Sequence, residues 1–272
     1  MRIAIVGPAT RDVIDIRGSC TEHVGGTVYY TAYALHALGV DATVFAKIAP
    51  ADRELLNAFT CRVVPVWSQT TTIYKNSYPK ENRDYREQSV DAVAEPFTGN
   101  DVADVHNFDI VHLGPLNKGD IPLAVIEQLR KHNTLISLDA QGYLRDVSGS
   151  KVIARPWTDA ASFLLHIDIL KCDEHEAALI VGNDMLEEMA RRIAALGPRE
   201  VIITRGSKGS VIFSHGTSTT IPAISPERIV DVTGTGDTYM GGYLAKRLET
   251  DDVKTCGTFA ATIASKRISG LL

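Results

Sequence analysis

Short apolar runs alternate with amphipathic segments along most of the 272-residue chain, and this alternation constrains the fold most strongly. The apolar runs predict buried strands at 2–8, 41–48, 109–115, 134–142, 167–173 and 200–206. Helical spacing of apolar residues predicts helices at 27–39, 122–132 and 185–197. Such an order favours a mostly parallel sheet with helices on both faces, whose ligands bind beyond the carboxyl ends of the strands.

Two polar stretches, at 12–24 and 70–90, interrupt this alternation. Neither has a helical stripe, and the second is rich in Thr and Tyr, with a turn expected near 79–82. They predict the strands of a small exposed sheet that stands off the core as a lid. Because a small sheet needs a cover for its apolar face, a bound substrate or the same sheet of a second subunit would supply one.

The composition is ordinary for a globular protein, with 44% hydrophobic and 22% charged residues. A net charge of -5 argues against nucleic-acid binding through general electrostatics. The four cysteines show no C-x-x-C spacing, which favours neither a zinc site nor a disulfide framework. No signal-peptide core and no apolar run of ~20 residues is found. We therefore expect a cytoplasmic protein without a membrane partner and with a single domain over 1–272.

The stretch DVTGTGDTYMGGYLAKRL, at 231–248, carries the clearest chemical signal. Apolar residues at helical spacing follow Asp237, so Gly234, Thr235 and Gly236 fall at the beginning of a helix. Unpaired N–H groups and the helix dipole favour a phosphate at this position, and glycine allows its close approach. Asp237 is either a proton acceptor beside this anion hole or an acidic first-turn residue that only favours the dipole. Local chemistry leaves both interpretations open.

The same stretch resembles the D-T-x-G-A-G-D signature of the ribokinase-like (PfkB) carbohydrate kinases, with Val232 and Thr235 at the two positions that differ. Three other elements occur in the family's order. Gly25-Gly26 resembles its N-terminal Gly-Gly signature, LKCDEHEAAL resembles K-x-N-x-x-E with Asp173 in place of Asn, and ITRGSKGS resembles its T-x-G-x-x-G nucleotide loop. The resemblance covers essentially the whole chain and implies a ribokinase-like three-layer α/β/α sandwich with a small β-sheet lid.

The resemblance also implies roles for individual residues of an ATP-dependent kinase. Asp237 is the general base, which takes the proton of a substrate hydroxyl as it attacks the γ-phosphate, and Gly234, Thr235 and Gly236 form the anion hole. The expected substrate-binding residues are Asp12, Gly26, Thr27, Tyr74, Asn76, Gln141 and Arg145. The expected nucleotide-binding residues are Asp173, Thr204, Gly206, Ser207, Gly209 and Asp231. Glu176 is expected to act on Mg²⁺ through water, because Mg²⁺ keeps several of its waters.

The stretches TTTIYKNSY, NRDYREQ and DAQGYLR resemble a compact archaeal-type subgroup of the family that includes myo-inositol kinase. This resemblance favours a small sugar or cyclitol as acceptor. The family resemblance implies ATP and Mg²⁺ as cofactors, and the apolar face of the lid favours a homodimer through the lid. Two alternatives stay open. A nucleoside kinase of the same fold would need a stacking wall for the base, which Tyr74, Tyr78 and Tyr85 offer. A non-catalytic ligand-binding protein on this scaffold would have no need of Asp237.

Overall fold

The computed structural model describes residues 1–16, 18–78 and 87–272. Within these residues the strands, in chain order, are β1 (Arg2–Pro8), β2 (Thr10–Ile16), β3 (Ser19–Gly25), β4 (Asp41–Ile48), β5 (Arg62–Trp67), β6 (Thr72–Tyr78), β7 (Glu87–Ala92), β8 (Ile110–Leu113), β9 (Leu135–Asp139), β10 (Arg145–Ser148), β11 (Lys151–Ala154), β12 (Ile169–Asp173), β13 (Glu200–Thr204), β14 (Ser210–Ser214) and β15 (Thr217–Ile221). The helices are α1 (Thr27–Ala37), α2 (Leu123–Leu129), α3 (Ala160–Leu164), α4 (Glu174–Val181), α5 (Leu186–Ala194), α6 (Thr235–Arg247) and α7 (Val253–Ser269). Short 3₁₀ segments cover Pro50–Ala58, Gly99–Asn107, Ala140–Leu144 and Gly206–Lys208.

The larger sheet has the order β15-β14-β13-β12-β9-β8-β1-β4-β5 within the described residues. Neighbouring strands from β13 to β5 run parallel, whereas β14 and β15 pair antiparallel at one edge. Side chains alternate between the faces of a strand, so Ile3 and Ile5 pack with α1, α6 and α7, while Ala4 and Val6 pack with α2, α3 and α5. Helices cover both faces, which confirms the predicted three-layer arrangement.

The smaller sheet, the lid, has the order β10-β11-β7-β6-β2-β3 among the described strands. The two polar stretches predict β2, β3, β6 and β7, and the structure contains all four. The turn expected near 79–82 and the side chains of Tyr78 and Tyr85 lie outside the described residues. The sequence does not predict β10 and β11, because RDVS and KVIA are too short to show alternation.

The lid joins the central sheet at the carboxyl ends of its strands. β2 follows β1 after a single residue, and β10 follows β9 after the segment Ala140–Leu144. Tyr74 and Val90 of the lid pack against Leu116, which lies just beyond β8. This contact places the lid over the edge at which parallel sheets bind their ligands.

Two expectations about partners concern surfaces of this fold. Among the helices of the described ranges, none combines the length and the apolar character that a membrane crossing requires. Pairing of the lid with a second copy of the chain stays a prediction.

Candidate active site

Helix α6 begins at a glycine turn that leaves backbone N–H groups available. Gly234 has a φ of +70°, in the left-handed region that favours glycine. It lies against the Tyr30 ring, where a side-chain carbon would be 2.6 Å from Cδ2. Thr235 N–H donates back to Val232 O at 3.3 Å, while the N–H groups of Gly236 and Asp237 find no acceptor within the described residues. Free donors at the positive end of a helix form an anion-binding site.

Asp237 occupies the first turn of α6 and is a half-buried residue. Burial among protein atoms raises the pKa of its carboxyl to about 6, and the charge of Asp139 adds to this rise while Lys171 opposes it. The nearby Thr27 hydroxyl lowers the pKa of Asp237 and so favours its ionised form. Thr27 Oγ1 is buried and makes no hydrogen bond of normal geometry within the described residues. A carboxyl with a pKa near neutrality is suited to accept a proton from a hydroxyl.

A buried ion pair lies behind the anion hole. Lys171 Nζ is 2.8 Å from Asp139 Oδ2, and their side chains are only 8% and 1% exposed. Burial would lower the pKa of Lys171, but the charges of Asp139, Glu176 and Asp237 raise it well above its usual range, so the ammonium stays charged. A side-chain carbon at Gly236 would lie 3.3 Å from Nζ, which puts this fixed charge next to the anion hole.

The K-x-N-x-x-E match includes Lys171 as its lysine, but the sequence does not predict a role for this residue. Lys171 follows two apolar residues in strand β12, while Asp139 ends the neighbouring strand β9. Register brings the two together, because Asp139 of β9 pairs directly with Lys171 of β12. Only the pairing of β9 with β12 brings the two charges together as a buried ion pair.

A cleft of about 600 Å³ opens on the other side of the anion hole. Predicted nucleotide-binding residues that line it are Asp173, Thr204, Gly206, Ser207 and Gly209, together with Thr235 and Gly236 of the predicted catalytic set. The sequence does not predict its apolar wall, formed by Ala223, Ile224, Pro226, Ile229, Val232, Ala261, Ala264 and Ile268. The available signal is the loop IPAISPERIV, where Ile224 and Ile229 stay exposed although they are large and apolar.

The acidic pair predicted at the metal and nucleotide site forms a capping box at the start of α4. Asp173 Oδ1 accepts the N–H of Glu176, and Glu176 Oε2 accepts the N–H of Asp173, both at 2.7 Å. Burial raises the pKa of Glu176 to about 7, with Lys171 opposing and Asp139 adding to the rise. Helix capping therefore explains both residues structurally, and their roles toward nucleotide and Mg²⁺ stay predictions.

On the lid side, Gly25 and Gly26 lie close to neighbouring groups, among them Asp12, which is predicted to bind the acceptor substrate. A side-chain carbon at Gly25 would lie 2.6 Å from Cγ of Asp12, and one at Gly26 would lie 2.7 Å from Pro8 O. Gly26 also has a φ of +93° at the N-cap of α1, which leads into the buried Thr27. Thr10 Oγ1 donates to Asp12 Oδ1 at 2.7 Å, which orients this carboxylate.

The other residues predicted to bind the acceptor substrate have different surroundings. Arg145 is half-buried beside the Tyr74 hydroxyl, and its charge lowers the pKa of Asp237. Tyr74 is buried, and its hydroxyl donates to Asn117 Oδ1 at 2.8 Å or to Leu116 O at 3.1 Å. Asn76 accepts from Gln88 within the lid at 3.1 Å. Gln141 follows β9, where its backbone N–H donates to Asp139.

Asp231 is the predicted nucleotide-binding residue that does not line the described cleft. Its carboxylate accepts the N–H of Thr233 at 2.9 Å and pairs with Arg267 Nη2 at 2.9 Å. Burial would raise its pKa, but these partners lower it below its usual value, so the group is ionised. Asp231 thus stabilises the turn that precedes α6, and its role toward the nucleotide stays a prediction.

Comparison with known proteins identifies the family. The sequence matches the description "pfkB family carbohydrate kinase" over residues 17–270, which is nearly the whole chain. The chain belongs to the pfkB family of carbohydrate kinases. The resemblance drawn from the Gly-Thr-Gly-Asp signature is thereby confirmed.

Solved structures of pfkB relatives extend this result to the fold. A pyrophosphate-dependent kinase in the ribokinase family, complexed with a pyrophosphate analog and myo-inositol, has a TM-score of 0.86 at 28% identity, over 98% of this chain and 94% of its own. Arabidopsis thaliana ribokinase, complexed with ribose and ATP, has a TM-score of 0.79 at 21% identity, over 98% of this chain and 92% of its own. The expected ribokinase-like fold is confirmed.

Curated sequences point to kinases with other acceptors. A nucleoside kinase of Methanocaldococcus jannaschii is 34% identical over 102 residues, which cover 37% of this chain and 32% of that protein. The chain spans about a third of the length of the curated nucleoside and cytidine kinases that it matches. The acceptor of this pfkB kinase therefore has to be argued from its own residues.

Proposed function

We propose that this pfkB kinase transfers the γ-phosphoryl group of ATP to a hydroxyl of a small sugar or cyclitol, with a myo-inositol-like polyol favoured. One observation carries the proposal. Asp237, with a carboxyl pKa of about 6, adjoins the free N–H groups of α6 and the cleft of about 600 Å³ lined by Thr235 and Gly236, which we call the donor cleft. A proton acceptor for the substrate and a cradle for the transferred group are thus neighbours.

The transfer breaks the bond from the γ-phosphorus to its bridging oxygen and forms a bond to the acceptor oxygen. Asp237 takes the hydroxyl proton as that oxygen attacks, ADP leaves, and a phosphate monoester remains. The N–H groups of Gly236 and Asp237 stabilise the charge of the transferring group, together with the Lys171 ammonium. Because Lys171 is held charged by Asp139, it does not compete for the proton.

Mg²⁺, when bound, would supply positive charge to the donor phosphates. Glu176 keeps one carboxylate oxygen outside the capping box and would hold the ion through water, with Asp173 beside it. Among the described residues no group of three or more His, Cys, Asp or Glu side chains is arranged to hold a metal. This fits an ion whose remaining ligands are phosphate oxygens and water.

The donor cleft favours ATP over pyrophosphate. Its wall of aliphatic side chains, including Ile224, Ala264 and Ile268, offers apolar surface to a nucleobase, whereas pyrophosphate has no apolar part. Pyrophosphate dependence nevertheless belongs to a neighbour with 28% identity, so pyrophosphate is the donor to compare directly with ATP.

The lid favours a polyol over a nucleoside. The Asp12 carboxylate lies against Gly25, at the start of the loop that leads into α1, and a carboxylate can accept hydrogen bonds from neighbouring hydroxyls. Tyr74 is one of the three residues expected to stack on a base, but its ring is buried against Leu116 and its hydroxyl is bonded. A nucleoside acceptor remains the second candidate, because the curated relatives with 34% to 41% identity are nucleoside and cytidine kinases.

A panel of polyols, sugars and nucleosides, each with Mg²⁺ and either ATP or pyrophosphate, tests the proposal. Turnover of inositol or a hexose with ATP supports it, turnover of nucleosides alone supports the second candidate, and binding without release of ADP supports a non-catalytic protein. Asp237→Asn should lower turnover by several orders of magnitude while the fold and ligand binding persist.

Asp252→Asn is the matched control for Asp237→Asn. Asp252 caps α7 by accepting the N–H of Thr255, so it is also an acid at a helix start, and it does not line the described donor cleft. Because Asn caps a helix about as well as Asp does, its replacement should change stability little and leave turnover unchanged. If Asp237→Asn kept more than about a tenth of the wild-type rate, the general base would have to be another group.

A further inference from the structure

The turn before α6 is tied to the end of α7. Val230 N–H donates to Ile268 O at 2.8 Å, and Glu227 N–H donates to Ser269 Oγ at 3.1 Å. Arg228 Nε donates to Ser269 O at 3.2 Å. These bonds attach the segment that carries the anion hole to the last turn of another helix.

Arg267 adds a charged contact to this attachment. Its guanidinium pairs with Asp231 at 2.9 Å, and Asp231 in turn accepts the N–H of Thr233, one residue before Gly234. The same guanidinium lies 5.6 Å from the centroid of the Tyr30 ring, against which Gly234 packs. Arg267 therefore contacts two groups that border the glycine turn.

The position of Asp231 creates an electrostatic problem for a phosphate donor. Its carboxylate is ionised and 43% exposed, and it precedes the anion hole by only three residues. An uncompensated negative charge there would repel the phosphates that the free N–H groups attract. Arg267, which is 19% exposed, places a compensating charge at hydrogen-bond distance.

We propose that Arg267 is a positioning residue of the donor site, which neutralises Asp231 and holds the glycine turn so that the N–H groups of Gly236 and Asp237 face the donor phosphates. The proposal rests on the proposed function, because it assumes a phosphate donor at α6. It assigns Arg267 a role that the family signature does not contain.

Binding of a non-hydrolysable ATP analogue with Mg²⁺, measured by isothermal titration calorimetry, tests this role. Arg267→Gln should weaken analogue binding on the order of tenfold, the size expected when a charge-assisted hydrogen bond is lost. Lys266→Gln is the matched control, since Lys266 is the exposed neighbouring cation on α7, and it should bind as the wild type does. Arg267→Lys keeps the charge but loses the guanidinium contact with Tyr30, so it should bind the analogue more tightly than Arg267→Gln does and less tightly than the wild type.

Charge coupling distinguishes positioning of the donor from a purely structural contact. The double variant Asp231→Asn with Arg267→Gln has no uncompensated carboxylate, so it should bind the analogue more tightly than Arg267→Gln does. A double variant as weak as Arg267→Gln, or an Arg267→Lys variant as weak, overturns the charge role. Melting curves check that each variant is folded, and if Arg267→Gln does not fold, Arg267→Lys and the double variant provide the test.

Failure of this inference is distinguishable from failure of the proposed function. If the wild type binds the analogue and Arg267→Gln binds it equally well within twofold, only the role of Arg267 is wrong. If the wild type binds neither the analogue nor pyrophosphate, the phosphate-donor site at α6 is wrong, and the role of Arg267 is overturned with it.

Discussion

Replacement of Gly234 by alanine tests the turn on which the anion hole depends. Gly234 has a φ of +70°, where alanine costs about 1–2 kcal/mol. The added carbon would lie 2.6 Å from Cδ2 of Tyr30 and nearer still to two other ring atoms, against an ordinary carbon–carbon separation of roughly 3.5–4.0 Å. The ring or the turn must therefore move by about 1 Å, at a further cost of roughly 1–3 kcal/mol.

A movement of the turn displaces the groups that follow it, Gly236 and Asp237. Because a misplacement of about 1 Å can lower a rate roughly 100-fold, we expect turnover of Gly234→Ala to fall by about that factor. The free energy of unfolding should fall by about 2–5 kcal/mol, the sum of the two costs. Steady-state release of ADP with the best acceptor measures the first effect, and urea unfolding measures the second.

Gly39→Ala is the matched control, because Gly39 has the same φ of +70° but no atom within 4 Å of an added carbon. It should lose only the backbone cost of about 1–2 kcal/mol and keep wild-type turnover. If Gly234→Ala keeps turnover within threefold of the wild type, or loses no more stability than Gly39→Ala, the contact with Tyr30 does not determine the geometry of the anion hole.

The remaining predictions concern charge and space at the same site. The value of kcat/KM should rise about tenfold per pH unit below pH 6 and level off above it, because only the ionised Asp237 accepts a proton and its pKa is about 6. In the variant Lys171→Met this rise should move to higher pH, because the positive charge that lowers the pKa of Asp237 is removed. A flat pH profile in the wild type, or an unshifted profile in the variant, would contradict the assignment of Asp237 as the general base. Gly25→Ala should raise the KM for the acceptor substrate on the order of tenfold and leave the KM for ATP unchanged, because the added carbon would lie 2.6 Å from Cγ of Asp12. Equal effects on both KM values would argue against binding of the acceptor substrate by Asp12.

Much of the fold is predictable from local patterns. Apolar strands and amphipathic helices carry their own periodicity, so the parallel sheet and both helical layers follow from the sequence. The hairpin of β10 and β11 does not, because four-residue strands show no period and form only where β7 offers a partner. The glycine turn before α6 is also local, since it depends on residues adjacent in the chain.

Contacts between residues that are far apart in the chain cannot be predicted from local sequence patterns. Lys171 and Asp139 are 32 residues apart and meet only through the register of β9 and β12. Arg267 and Asp231, 36 residues apart, meet only because α7 packs beside the turn before α6. The apolar wall of the donor cleft likewise combines a loop near Ile224 with one face of α7.

The sequence by itself determined the family, the layered fold and the place of Asp237 at a glycine-rich helix start, because each depends on residues near one another in the chain. Only the tertiary structure decided which charges compensate each other and which surfaces border the cleft. The physical reason is that electrostatic and packing energies depend on distance in space, and the pairing of strands and helices, rather than chain order, sets those distances.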